Sequence, residues 1–156
     1  TPMRSSAASD VYKRQDMDYE SIVNAGSLLG SGAVIIMDED TNMVEVIHRI
    51  ARFYYSESCG QCTPCREGTG WMFKVIDKIL KGNGTLDDLK TLESIPSMIS
   101  GSTICALGDA AAMPVESFIK HYRSEFLQYI KNQTVDPIDK NNFAKISDKE
   151  FVLNRK

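Results

Sequence analysis

The sequence predicts a mainly α-helical protein, a bundle of about four helices, and three observations lead there. Apolar residues recur at helical spacing in four separate segments between Met43 and Ile130. Residues that cap or break helices stand between those segments: Asn42, the "GNG" of 82–84, Thr85 and Pro114. A single run, "GAVIIMDED", reads as a buried strand, over 33–37, ending in a polar turn.

The elements follow in order. "DYESIVNAG" reads as a short helix stopped by Gly26. Asn42 with Glu45 three residues later resembles a capping box, after which Met43, Ile47, Ile50, Ala51 and Tyr54 fall on one helical face. Met72, Val75, Ile76, Ile79 and Leu80 form the stripe of a second helix, which "GNG" stops. Thr85 with Asp88 opens a third, carrying Leu86, Leu89 and Leu92, and Pro96 ends or kinks it. Pro114 suits the first turn of a fourth, whose stripe is Val115, Phe118, Ile119, Tyr122, Phe126, Tyr129 and Ile130. The strand at 33–37 has no second strand in the sequence to satisfy its backbone, so a preceding part of the domain is expected to be missing.

Composition limits the function classes. With 42% hydrophobic and 25% charged residues the chain reads as a soluble globular protein. Eighteen basic against 21 acidic residues leave no large positive field for nucleic acid or anionic lipid. Apolar runs fall well short of the roughly 20 residues that cross a bilayer, so direct membrane insertion is not expected. Residues 1–17 are read as a non-native or disordered leader: "SSAASDVYKRQ" resembles translated adapter sequence, and a transit peptide or a loose terminus are the alternatives. Residues 132–156 are polar with scattered apolar positions and read as a surface tail.

The chemistry lies in the cysteines. "ESCGQCTPCREG" puts Cys59, Cys62 and Cys65 three residues apart, and "STICALGDAAAMP" adds Cys105, the only other one. A redox pair uses two thiols and leaves two unexplained, and a disulfide framework needs an oxidising compartment for which there is no signal peptide. Zinc modules usually bring two separated Cys-x-x-Cys knuckles. Three ligands in one loop and one from far away match the Cys-x-x-Cys-x-x-Cys run of [4Fe–4S] proteins, so spacing favours iron–sulfur and leaves zinc open.

Neighbouring residues suit such a cluster. Gly60 lets the backbone pass close and take positive φ, and Thr63-Pro64 reads as an N-cap and first helical residue, putting Cys65 in the first turn. A helix N-terminus favours thiolates and a negatively charged cluster. Gly68 and Gly70, costly inside a helix, imply close packing there, or else a frayed start. Arg66 has two readings. It raises the cluster potential through its charge, so that Arg66→Gln lowers the midpoint, or it points into solvent or pairs with Glu57 or Glu67 to hold the loop. His48 and His121 lie off the apolar stripes and are read as solvent-exposed. Tyr54, Tyr55 and Trp71 flank the loop and are read as shielding or core, and "MDEDTN" as a solvated turn.

The E-S-C-G-x-C-x-P-C-R-x-G run, with "GSLLGSGAVIIMDED" before it and "TICALGDAAAMP" after it, resembles the carboxy-terminal part of the NADH-binding flavoprotein subunits of respiratory complex I, over about Asp18 to Lys131. The resemblance implies that Cys59, Cys62, Cys65 and Cys105 ligate one [4Fe–4S] cluster, with Gly60, Pro64 and Arg66 around it. It also implies that 18–41 is the last part of a truncated ubiquitin-like (β-grasp) α+β domain and that 42–131 is the cluster-binding helical domain. The implied role is an electron relay from FMN, reduced by NADH in an upstream domain absent here, toward quinone. FMN and NADH are not expected on this fragment, and no residue is assigned as catalytic. Implied partners are other peripheral-arm subunits, including the thioredoxin-like and large iron–sulfur subunits. The implied location is the cytoplasmic face of the plasma membrane, or the matrix side in a mitochondrion. The same domain in an NAD-linked hydrogenase or formate dehydrogenase is one alternative; a zinc-stapled interaction module is another.

Overall fold

The computed structural model describes residues 4–5, 16–25, 27–38 and 40–131. Gly26 as a helix stop, most of the leader and the whole 132–156 tail lie outside the described residues. The elements are β1 (Arg4–Ser5), α1 (Tyr19–Asn24), β2 (Ile36–Met37), α2 (Met43–Glu57), α3 (Thr63–Leu80), α4 (Leu86–Ile99) and α5 (Leu107–Lys131).

The four long helices form the expected bundle, each packing on its sequence neighbour and α5 closing back on α2. Cross-helix contacts give its sense. On α2 and α3, His48 meets Asp77 while Tyr55 stacks on Phe73, so the two run antiparallel. Ile99, the last residue of α4, sits over Gly68 near the start of α3. Arg123 pairs with Glu93, and Asp109 accepts from the Gly101 N–H, which turns α5 back along α4. Glu125 accepts from the Met43 N–H and Tyr129 pairs with Asn42, which ties the end of α5 to the start of α2. The topology is therefore up-down-up-down, and the end of α2, start of α3, end of α4 and start of α5 share one end of the bundle.

Local chemistry explains the boundaries. Asn42 caps α2 by accepting from the Val44 and Glu45 N–H groups, and Glu125 of α5 accepts from the Met43 N–H, with Glu45 also in that first turn. Thr85 and Asp88 cap each other's backbone in a full capping box, as expected for α4. Pro96 does not stop α4, which continues to Ile99 with the Ser100 N–H bonding back to the Pro96 carbonyl. Pro114 is likewise inside α5, not at its start. The alanine-rich run before it has high helix propensity, and the Ala110 N–H closes a turn on Ala106, so the helix begins at Leu107. The interruption in α5 comes at Tyr122, where φ is −123°.

The core follows the predicted stripes except at Leu86, the first residue of α4, which is exposed. Ile47, Met72, Ile76, Ile79, Leu89, Leu92, Phe118 and Phe126 are all fully buried or nearly so. Two expectations fail before α2. The 33–37 run is not a buried strand: only Ile36–Met37 is strand, and Val34, Ile35 and Ile36 are exposed, because the four helices fill the core and only Met37 packs against it. Nor is that strand alone, since it pairs antiparallel with Arg4–Ser5. In the "MDEDTN" run Asp38 and Asp40 are exposed as read, Met37 packs against the core, Thr41 folds back on Asp38, and Glu39 lies outside the described residues.

His48 is the other correction. It is half-buried: its Nε2 lies 3.2 Å from Asp77 Oδ1 and its ring tilts onto Phe73, because α3 brings a carboxylate to a face that looks polar on α2 alone. Burial pushes its pKa below the ordinary 6.5, outweighing the pull of Asp77, with Arg52 and Lys81 adding to the drop. Asp77 is held below 3.8: burial opposes this, but Lys81 and His48 prevail. The unfolded imidazole therefore takes up a proton first as pH falls. Stability from His48 is complete above about pH 6.5 and declines below it toward the lower folded value, whereas Asp77 acts only below 3.8. Urea midpoints measured between pH 7.5 and 5 should fall with pH, and His48→Gln should flatten that fall. An equal slope in the variant would remove His48 as its source.

Candidate iron–sulfur site

The antiparallel bundle delivers the two cysteine loops to the same end. Cys59 follows α2 directly, Cys62 is the N-cap of α3, Cys65 lies in the first turn of α3, and Cys105 precedes α5. Thr63 is thus already helical and Pro64 follows it in the first turn, one residue out of the expected register. No cap hydrogen bond uses the Cys62 side chain. Gly60 has φ +76°, the left-handed conformation that lets the loop reverse between Cys59 and Cys62.

Close packing holds the two loops at that end. Gly68 and Gly70 are buried, not frayed: a Cβ on Gly68 would stand 2.5 Å from Ile99 Cδ1, and one on Gly70 would stand 3.0 Å from Tyr55 Cε2. Gly68 thus lets α4 end against the first turns of α3, and Gly70 lets the end of α2 do so. Gly68→Ala would gain about 1 kcal/mol of helix propensity, but Ile99 is buried and overpacking costs about 1–3 kcal/mol. A net loss of about 1 kcal/mol in urea unfolding is expected. A gain would show that Ile99 rotates away freely.

All four thiols are free of disulfides. Cys65 is buried, Cys62 partly buried, and Cys59 and Cys105 exposed. Among the described residues no three His, Cys, Asp or Glu side chains stand close enough together to hold a metal ion, so the thiols share an end of the bundle without forming a closed set. As a donor set, four unbridged thiols on two loops at one end fit a thiolate-ligated cluster.

Several contacts brace the loops. Arg66 Nη1 donates to the Gly60 carbonyl at 3.0 Å, and Nε pairs with Glu67 at 2.9 Å, with the side chain half exposed. These are the loop-holding contacts of the second reading of Arg66, with Glu67 as the partner. Three further polar contacts at the loops are not apparent from sequence reasoning. Ser58 Oγ lies 3.3 Å from Cys65 Sγ, Thr103 Oγ1 donates to the Cys105 carbonyl, and Asp109 anchors Gly101. The "GDA" that opens α5 is the legible signal for Asp109, an acid in a first helical turn. Tyr55 stacks on Phe73, but Trp71 is 51% exposed and belongs to no core.

The family described as "NADH-ubiquinone oxidoreductase-F iron-sulfur binding region" matches residues 45–129, more than half of the chain. The chain belongs to this family. Its cofactor is accordingly a [4Fe–4S] cluster. The F subunit of NADH-quinone oxidoreductase from Rickettsia rickettsii (strain Sheila Smith) is 51% identical over 120 residues, covering 77% of this chain and 28% of that protein. Its counterpart from Rickettsia bellii (strain OSU 85-389) is 51% identical over 110 residues, covering 70% and 26%. The chain therefore spans only about a quarter of the length of these relatives. A crystal structure of an NAD+-reducing [NiFe]-hydrogenase in the H2-reduced state superposes with a TM-score of 0.60 at 34% identity, over 69% of this chain and 18% of the other. Among the described residues no helix is long and apolar enough to cross a membrane.

Proposed function

We propose that residues 42–131 are the electron-relay domain of an NADH:quinone oxidoreductase flavoprotein subunit, with Cys59, Cys62, Cys65 and Cys105 as the four ligands of its [4Fe–4S] cluster. The observation that carries this reading is the placing of four unbridged thiols, on two loops, at one end of an antiparallel bundle. When bound, the cluster supplies one-electron relay between FMN, reduced by NADH, and acceptors leading to quinone. Flavin and nucleotide belong to the part of the relatives outside the match, and residues 18–41 to the end of a ubiquitin-like domain between the two. Other peripheral-arm subunits, including the thioredoxin-like and large iron–sulfur subunits, are the partners in this reading. The assembly lies on the cytoplasmic face of the plasma membrane, or on the matrix side in a mitochondrion.

Each residue of the loop has a part. Gly60 supplies the reversal between the first two ligands, and Pro64 stiffens the turn that holds the third. Arg66 braces the loop by gripping the Gly60 carbonyl. Its half-exposed guanidinium is screened by solvent, so bracing outweighs the potential-raising role.

The likeness to an NAD+-reducing hydrogenase favours a second reading, in which the domain serves a soluble diaphorase. The higher identity to the Rickettsia NADH-quinone oxidoreductase proteins supports the first. The relay is tested by reductant choice. Dithionite should bleach the loaded chain, whereas NADH should do so only after the flavin-binding part of the subunit is added. Reduction by NADH alone, or stoichiometric flavin held by this chain, would contradict the assignment.

A further inference from the structure

We propose that the Ser58 hydroxyl is a hydrogen-bond donor to the Cys65 ligand sulfur and sets the cluster potential. This inference rests on the reading of Cys65 as a ligand. Ser58 is the C-cap of α2, its own N–H bonded to the Tyr54 carbonyl, so its backbone is fixed. Its Oγ stands 3.3 Å from Cys65 Sγ, and the Gly60 N–H points at the same oxygen from 3.4 Å. In the free thiol either atom of the Ser58–Cys65 pair could donate. A metal-bound cysteine is a thiolate with no proton to give, so the bond then has one direction, from Ser58 to Cys65. The Gly60 N–H occupies one acceptor position on Oγ and leaves the hydroxyl proton to the sulfur. Cys65 is 5% exposed, so water competes little for that sulfur.

The sign follows from charge. When dithionite gives up one electron to the cluster, negative charge on the ligand sulfurs rises, no bond to Cys65 or Ser58 breaks, and Ser58 keeps its proton. A hydrogen bond to a more negative acceptor is stronger, so Ser58 favours the reduced state.

The test uses the loaded chain with Ser58→Ala and Ser58→Thr, matched for iron and sulfide content and titrated under EPR. Ser58→Ala should weaken reduction about three- to tenfold, a midpoint lower by about 30–60 mV for one electron. Ser58→Thr, which keeps the hydroxyl, should titrate like the parent. An unchanged or raised midpoint in Ser58→Ala would overturn the proposal. So would a Ser58→Ala chain that loses its cluster while Ser58→Thr keeps it, since the hydroxyl would then be a loop brace. A parent chain that takes up no iron and sulfide would instead refute the ligand assignment itself.

Discussion

Replacing Cys65 with alanine is expected to abolish [4Fe–4S] loading while leaving the helical bundle folded. Cys65 is the one thiol of the four that is already buried, seated in the first turn of an 18-residue helix beside Ser58. A cubane needs a thiolate at each iron, and the chain has no spare cysteine to take the vacated corner. Removing one small buried sulfur costs the apo protein little, about 1 kcal/mol, since free cysteine packs as a small hydrophobe. Iron and sulfide per chain should therefore collapse, while the far-ultraviolet helix signal and urea midpoint of the apo protein stay close to the parent's. Cys105→Ala should do the same from the other loop, although Cys105 is exposed and contributes nothing to the core. Normal loading in either variant would remove that cysteine from the ligand set.

Phe118→Ala should be among the costliest changes to the core, at about 3–5 kcal/mol. Phe118 is 1% exposed on α5, with its ring tilted against Tyr122 at 5.7 Å, where the helix is interrupted. Alanine there loses the transfer energy of a phenyl ring and leaves a cavity that four tied helices cannot collapse to fill. Domains of this size have about 5–15 kcal/mol of stability in all, so the variant should unfold at markedly lower urea. Trp71→Ala is the control. The indole is larger but half exposed, and its removal should change stability by less than about 0.5 kcal/mol. Equal losses at the two positions would mean that burial does not rank these aromatics.

The four long helices are legible in the sequence because each stripe is a local pattern that survives whatever the helix packs against. Gly68 and Gly70 are legible for a related reason: a costly residue in a helix implies a neighbour, although not that the neighbours would be Ile99 and Tyr55. What sequence cannot supply is contact across elements. His48 looks polar and free on α2 because its partner, Asp77, comes from α3. The apolar run at 33–37 reads as buried because periodicity records hydrophobicity, not whether anything covers it. Pro114 puts the expected start of α5 seven residues too late, since a proline is best suited to a first turn but here stands inside the helix, after an alanine-rich run that starts it earlier. At the site, the cysteine spacing favours iron–sulfur chemistry, but the Ser58 hydroxyl beside Cys65 depends on the reversal at Gly60 and so on the folded loop.

The most direct test of the account is the metal content of the chain reconstituted anaerobically with iron and sulfide. About four irons and four sulfides per chain are expected, with a brown protein and a low-temperature EPR signal after dithionite reduction. One tightly held zinc in a colourless protein, with no signal on reduction, would contradict it.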